Sequence, residues 1–165
     1  MRGDGTSRNI SSWVFLTSSI LLNSSTLKGT NHAITIGPDR AQRMNAAGTA
    51  QRLGVPYAMH SDAPITPIGP LFTAWCAVNR CTASGRVLGE CERIGVDDAL
   101  RAITLGAAYT LRLEGEIGSI EVGKRADLAV LADDPLAGPA EALKEVRVLG
   151  TMVGGVAFDA PPRVQ

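Results

Sequence analysis

The chain has 165 residues, of which 45% are hydrophobic and 19% charged, and its sixteen basic and sixteen acidic side chains cancel to a net charge of zero. This is enough material for one globular domain or one piece of a larger one, and it is not the composition of a disordered chain. Zero net charge leaves no electrostatic footprint for nucleic acid and no polybasic membrane signal, so small-molecule chemistry is favoured by elimination. Three cysteines, Cys76, Cys81 and Cys91, are odd in number and lack paired Cys-x-x-Cys spacing, which reads as reduced thiols in a cytoplasmic protein.

At the amino terminus, the apolar run Trp13 to Leu22 follows Arg2 and Arg8 and loosely resembles a secretory signal. It is too short to span a bilayer, and no small-x-small cleavage site follows it. Ser-rich, unpatterned sequence gives way to punctuated elements near Thr30, so residues 1–29 are read as unassigned and foreign to the fold.

From Gly37-Pro38, Ala41, Met44, Ala47 and Ala50 recur at helical spacing, and Leu53-Gly54 closes this predicted helix. Val55 to His60 is a short apolar run that reads as a buried strand, delivering His60-Ser61-Asp62 to its end. Pro64, Pro67, Gly69 and Pro70 make a loop. Leu71, Ala74, Trp75 and Val78 then predict a one-sided helix with Trp75 in the core. A polar loop from Arg80 to Gly95 leads to a helix with Val96, Leu100, Ile103 and Ala107 on one face and Asp97 and Asp98 in its first turn. After Leu111, glycines at 115, 118 and 123 punctuate short segments. Leu128 to Leu131 reads as a strand, and residues 146–158 as a hairpin turning at Gly154-Gly155. The expected organisation is an α/β part at 30–112, a β part at 113–160 and a tail at 161–165, with no internal repeat.

His60 and Asp62 are two residues apart at the end of the predicted strand, so their side chains and that of Ala58 point to one side. At the carboxyl end of a parallel α/β strand, an aspartate can bind a divalent metal and accept a proton from metal-activated water. Equally, Asp62 can cap the next turn and His60 can be a hydrogen-bonded core histidine. The triplet alone leaves both readings open.

A longer pattern bears on the choice. Gly37-Pro38-Asp39-Arg40-Ala41-Gln42-Arg43-Met44-Asn45, then Met59-His60-Ser61-Asp62-Ala63-Pro64, resembles the last barrel repeat of the amidohydrolase superfamily. The similarity is to its family 3 branch, which contains N-substituted formamide deformylases. Ala99 to Thr104, Ala107-Ala108-Tyr109 and the run Gly118-Ser119-Ile120-Glu121-Val122-Gly123-Lys124-Arg125-Ala126-Asp127-Leu128 resemble the passage from that barrel into a small β-sandwich. Val153-Gly154-Gly155 resembles its closing hairpin. The likeness covers about residues 33–158, and the Gly-Ser-Ile to Ala-Asp-Leu run is its most specific part.

The resemblance implies the carboxyl-terminal part of a (β/α)8 metal-dependent hydrolase barrel followed by part of a β-sandwich. Its chemistry would be hydrolysis of carbon–nitrogen bonds other than peptide bonds in a small amide-like substrate. By this likeness Asp62 matches the aspartate ending the eighth strand, which binds metal and shuttles a proton from the attacking water to the leaving amine. His60 takes a supporting catalytic role in the pocket, and Lys124 and Asp127 are turn or surface residues. The implied cofactor is a divalent metal, zinc, held once the full site is assembled. Such a barrel needs about 250 residues, and the first-strand His-x-His pair is absent, since the histidines are His32 and His60. His32 reads as an exposed loop residue. The expectation is therefore a truncated and inactive form that self-associates through uncovered edges. The alternative is a non-catalytic remnant pairing with a full-length relative. The substrate itself is not legible, because selecting residues lie on loops.

Overall fold

The computed structural model describes residues 35–61, 63, 68–82 and 84–161. Residues 1–29, His32 and Asp62 lie outside the described residues, as do Pro64 to Pro67.

Gly37, with φ at 86°, opens helix α1 (Pro38–Gln42), and Pro38 fills the first helical position, where its missing N–H is no loss. The single helix predicted through Leu53 is instead two, because the chain breaks before α2 (Ala47–Arg52) and Asn45 takes a left-handed φ of 49°. The physical reason is tertiary. In a continuous helix the Met44 and Asn45 carbonyls would accept from the amides of residues 48 and 49. Here both carbonyls accept from the Arg80 guanidinium, at 2.8 and 3.1 Å, while the Thr49 amide donates to Glu92. Helix α2 ends as the sequence predicts. Gly54 at φ 64° donates to Gln51 O and Val55 donates to Ala50 O, the paired bonds of a Schellman cap.

Residues 55–60 do not form the predicted strand; within that run only Met59 takes part in a β-bridge. A buried parallel strand needs a ladder on both edges, and no described segment supplies one. The common side expected of Ala58 and His60 is not seen either: Ala58 is buried with Met59 while His60 is exposed.

Helix α3 (Pro70–Asn79) begins with Gly69 as N-cap and Pro70 in its first turn. It is buried on more than one side, at Ala74, Ala77 and Val78 and also at Thr73, Cys76 and Asn79. Its partners are α4 (Val96–Ile103) and a short 3-10 turn at Ala140–Glu145. Alanines at the crossing, Ala74, Ala77, Ala99 and Ala102, let the backbones approach closely, and Leu143 plugs the gap at 2% exposure. Trp75 is half-buried rather than central. Its ring stacks on Phe72, its Nε1 donates to Glu141 O at 2.8 Å, and Lys144 lies 4.4 Å above its centroid.

The helix predicted from Val96 through Ala107 is also divided, at Thr104 (φ −115°, ψ −89°), giving α4 and then α5 (Leu105–Thr110). Thr104 Oγ1 donates back to Leu100 O, a competitor that bends helices. The buried face is Ala99 and Ala102, with Val96 and Ile103 packed beside them, so Leu100 and Ala107 do not lead it. Gly106 is needed here: a Cβ would lie 2.5 Å from Tyr57 O, where the 55–57 backbone passes α5.

The carboxyl-terminal part follows the sequence reading closely. Strand β1 (Leu128–Leu131) pairs antiparallel with β2 (Val148–Val153), which pairs antiparallel with β3 (Val156–Asp159). Val153 faces Val156 across a two-residue turn in which Gly154 and Gly155 have φ of 56° and 85°, both positive as a type I′ hairpin requires. The described chain is thus α/β with a small antiparallel sheet. Among its residues no helix is long and apolar enough to cross a membrane.

Candidate active site

Gly69 and Pro70 start α3 beside the end of the 55–61 run, which brings the two together around a cavity of about 180 Å³. Met59, Ile68, Pro70 and Ile103 line it with apolar surface, and His60, Ser61 and Thr73 supply polar atoms. His60 is exposed at the lip of this cavity and does not sit in the core. Asp62, the residue the sequence singles out most sharply, lies outside the described residues.

A larger cavity, about 470 Å³, occupies the opposite end of the same run, between Val55–Tyr57 and the α4/α5 pair at Asp98, Arg101 and Gly106. His60 does not line it. The Tyr57 phenol in its wall is pushed above its ordinary ionisation range, first by burial and second by the Asp98 carboxylate. Size alone does not mark a site, and the chemistry-bearing residues favour the smaller one.

Among the described residues, no group of three or more His, Cys, Asp or Glu side chains could hold a metal ion. A catalytic zinc ordinarily takes three protein ligands and a water, so the described donor set does not fit one by itself. The three cysteines are free thiols. Cys76, buried in α3 with its Sγ bonded to Phe72 O, has its thiol pushed far up by that burial, so it is not a ready thiolate.

Sequence reasoning missed the polar groups that hold this region together. Arg80, 4% exposed, closes α3 in the left-handed conformation and donates to the carbonyls of Leu88, Met44 and Asn45. Burial pushes its guanidinium down to about 10, against the upward pull of Glu92. Glu92, 3% exposed, accepts from both the amide and the hydroxyl of Thr49. Lys124 is also more than a surface turn residue: its side chain is only 10% exposed and donates to Ser119 Oγ. Asp127 is the turn residue expected, accepting from the Gly154 amide at 2.7 Å. For Arg80, Glu92 and Asp127 no local pattern announces these roles, because each partner is far away in the chain or is a backbone atom.

The described chain is an α/β segment with a small antiparallel sheet, and a solved structure shares its fold in part. An adenosine deaminase from Xanthomonas campestris, with bound zinc, superposes with a TM-score of 0.55 at 25% identity, covering 71% of this chain and 30% of that one. The chain belongs to the amidohydrolase family, whose profile matches residues 24–157. It is 41% identical over 103 residues to the N-substituted formamide deformylase of Arthrobacter pascens, covering 62% of this chain and 19% of the deformylase. It is 32% identical over 123 residues to the YtcJ protein of Bacillus subtilis (strain 168), covering 73% of this chain and 23% of that protein. The chain thus spans about a fifth of the length of the curated relatives it matches.

Proposed function

We propose that this chain is the carboxyl-terminal part of a metal-dependent hydrolase acting on carbon–nitrogen bonds other than peptide bonds, with a small amide- or formamide-like substrate. The family match over residues 24–157 carries the reading, and the 41% identity to a deformylase supports the substrate class. In this reading residues 30–112 supply the last repeats of a (β/α)8 barrel and 113–160 part of a β-sandwich. The change from helices, ending at Thr110, to an antiparallel sheet beginning at Leu128 supports that division. Three free thiols support a cytoplasmic setting.

Asp62 is the proposed catalytic group. Its carboxylate takes a proton from the attacking water as oxygen bonds to the carbonyl carbon, then gives that proton to the nitrogen as the carbon–nitrogen bond breaks. His60, on the cavity lip, orients the substrate by hydrogen bonding. Asp62 is also the one metal ligand proposed from this chain. The described residues do not complete a metal site, so no step is drawn through the metal, and the remaining ligands must come from outside them.

A chimera tests this. Residues 35–161 replace the matching segment of the Arthrobacter pascens deformylase, and amide hydrolysis and bound metal are measured. The hybrid is expected to turn over, with Asp62→Asn lowering kcat by about a hundredfold or more and His60→Ala by less. Full activity in the Asp62→Asn hybrid sinks the assignment of Asp62. A folded, metal-loaded hybrid inactive on every amide favours a second reading, a non-catalytic remnant that pairs with a full-length relative. The exposed apolar surface of the sheet favours that alternative.

A further inference from the structure

The larger cavity, about 470 Å³, stands at the far end of the 55–61 run from His60 and takes no part in the proposed hydrolysis. Its walls are held by backbone contacts. The Schellman bonds that end α2 fix Gly54 and Val55, and Gly106 lets Tyr57 O close on α5. Both of the chain's two tyrosines, Tyr57 and Tyr109, line this cavity, and so do Asp98 and Arg101 from α4. Val55 and Leu105 add apolar surface beside them. Asp98 and Arg101 are three residues apart in one helix, which sets their Cβ atoms about 5–6 Å from each other on one face. Among the described residues, neither forms an ion pair with the other or with a third group. Arg101 is exposed, and the Asp98 charge is felt at the Tyr57 phenol.

One negative and one positive group, side by side and not neutralising each other, complement a ligand that carries the same two charges in reverse at short spacing. We propose that this cavity is a second binding site, which takes a free α-amino acid with an apolar side chain. The ligand's ammonium goes to Asp98, its carboxylate to Arg101, and its side chain against the tyrosine rings and Leu105. Three features select that class. The volume falls within the roughly 300–1,000 Å³ of small-molecule sites, too little for a folded partner. A ligand with a single charge would leave either Asp98 or Arg101 unmatched in a partly desolvated place. Tyrosine rings offer a rigid apolar body with a polar tip, and their faces favour a neighbouring cation. Neither the site nor its test requires Asp62.

With both tyrosines at the site, nuclear magnetic resonance of ring-labelled tyrosine in the full chain reads it directly. Titration with phenylalanine is expected to move both ring signals together and to saturate. Phenethylamine, which lacks the carboxylate, and hydrocinnamate, which lacks the ammonium, should each bind at least about tenfold more weakly. Arg101→Gln should weaken phenylalanine at least about tenfold and leave phenethylamine unchanged, and because Arg101 is exposed this variant keeps its fold. Asp98→Asn should do the converse, weakening phenylalanine and sparing hydrocinnamate. A damaged fold would weaken all three ligands alike, so the crossed pattern separates recognition from stability. Ring signals that do not move with phenylalanine overturn the proposal, as do equal affinities for the three ligands or binding indifferent to Arg101→Gln. Binding that vanishes in the folded deformylase hybrid also overturns it, by showing that the rest of such a protein fills the cavity.

Discussion

Glu92 caps a helix that begins far from it in sequence: its Oε2 accepts the Thr49 amide at 2.7 Å across 43 residues, and its other oxygen takes the Thr49 hydroxyl. Thr49 is the third residue of α2, and Ala46, at the N-cap, has no side chain able to serve. The carboxylate thus supplies both the missing acceptor and the negative charge that a helix amino terminus favours. Arg52, whose Nη1 donates to Cys91 O, keeps the 91–92 backbone against α2, and Gly48 leaves it room, since a Cβ would lie 2.8 Å from that same oxygen. We expect Glu92→Ala to cost about 2–3 kcal/mol in urea-melt stability and Glu92→Gln about 1, since glutamine keeps one acceptor. Equal losses in the two variants would mean that charge, not hydrogen bonding, dominates.

Arg80 closes the same region from the other side. Its guanidinium satisfies three backbone carbonyls from two loops, and its backbone holds a left-handed φ of 49°. Removing the side chain leaves the Leu88, Met44 and Asn45 carbonyls facing a void, so Arg80→Ala is expected to cost about 3–5 kcal/mol. Arg80→Lys keeps the charge but not the planar fork, and should recover less than half of that loss. Hydrogen exchange offers a sharper reading than global melting: protection should fall first across residues 43–50.

These two residues explain which parts of the fold were legible. The Gly37-Pro38 helix start, the Gly54 cap, strand β1 and the Gly154-Gly155 hairpin are each set by neighbours within a few positions, and the pattern shows them, whereas Gly69-Pro70, read as loop, starts a helix. Helix 38–52 is broken by bonds to residues 80 and 92, which no local period encodes. The 55–60 run carries a strand composition, but strand formation depends on ladder partners that the described chain does not supply. At the candidate site, the motif and its resemblance to a family single out His60, which lines a cavity. Of the metal ligands, the resemblance offers Asp62 alone, because a site of that kind is assembled from separate strands.

The hairpin makes a local prediction. Gly155, at φ 85°, has open space around its Cα, so Gly155→Ala is strained by backbone conformation and not by contact. A loss of about 1 kcal/mol is expected. Asp127→Ala removes the acceptor for the Gly154 amide and should cost a similar amount by thermal melting. Asp127→Asn, which keeps an oxygen, should be close to neutral.

The last prediction concerns alkaline pH. Tyr57 is one of two tyrosines, and burial followed by the Asp98 charge raises its phenol above the ordinary value of 10.0. A raised folded-state pKa means that the unfolded chain loses this proton first. The contribution to stability is therefore complete below about pH 10 and falls as pH rises toward the folded value. Near-ultraviolet absorbance of the phenolate should show a component titrating above the free-tyrosine range, and Tyr57→Phe should abolish it. Asp98→Asn removes the smaller of the two causes, so it should move that component only part of the way back. A full return to the free value would reverse the order of causes and make the carboxylate, rather than the cavity wall, the principal determinant. In the Tyr57→Phe variant, the decline of stability above about pH 10 should be shallower than in the unmodified chain.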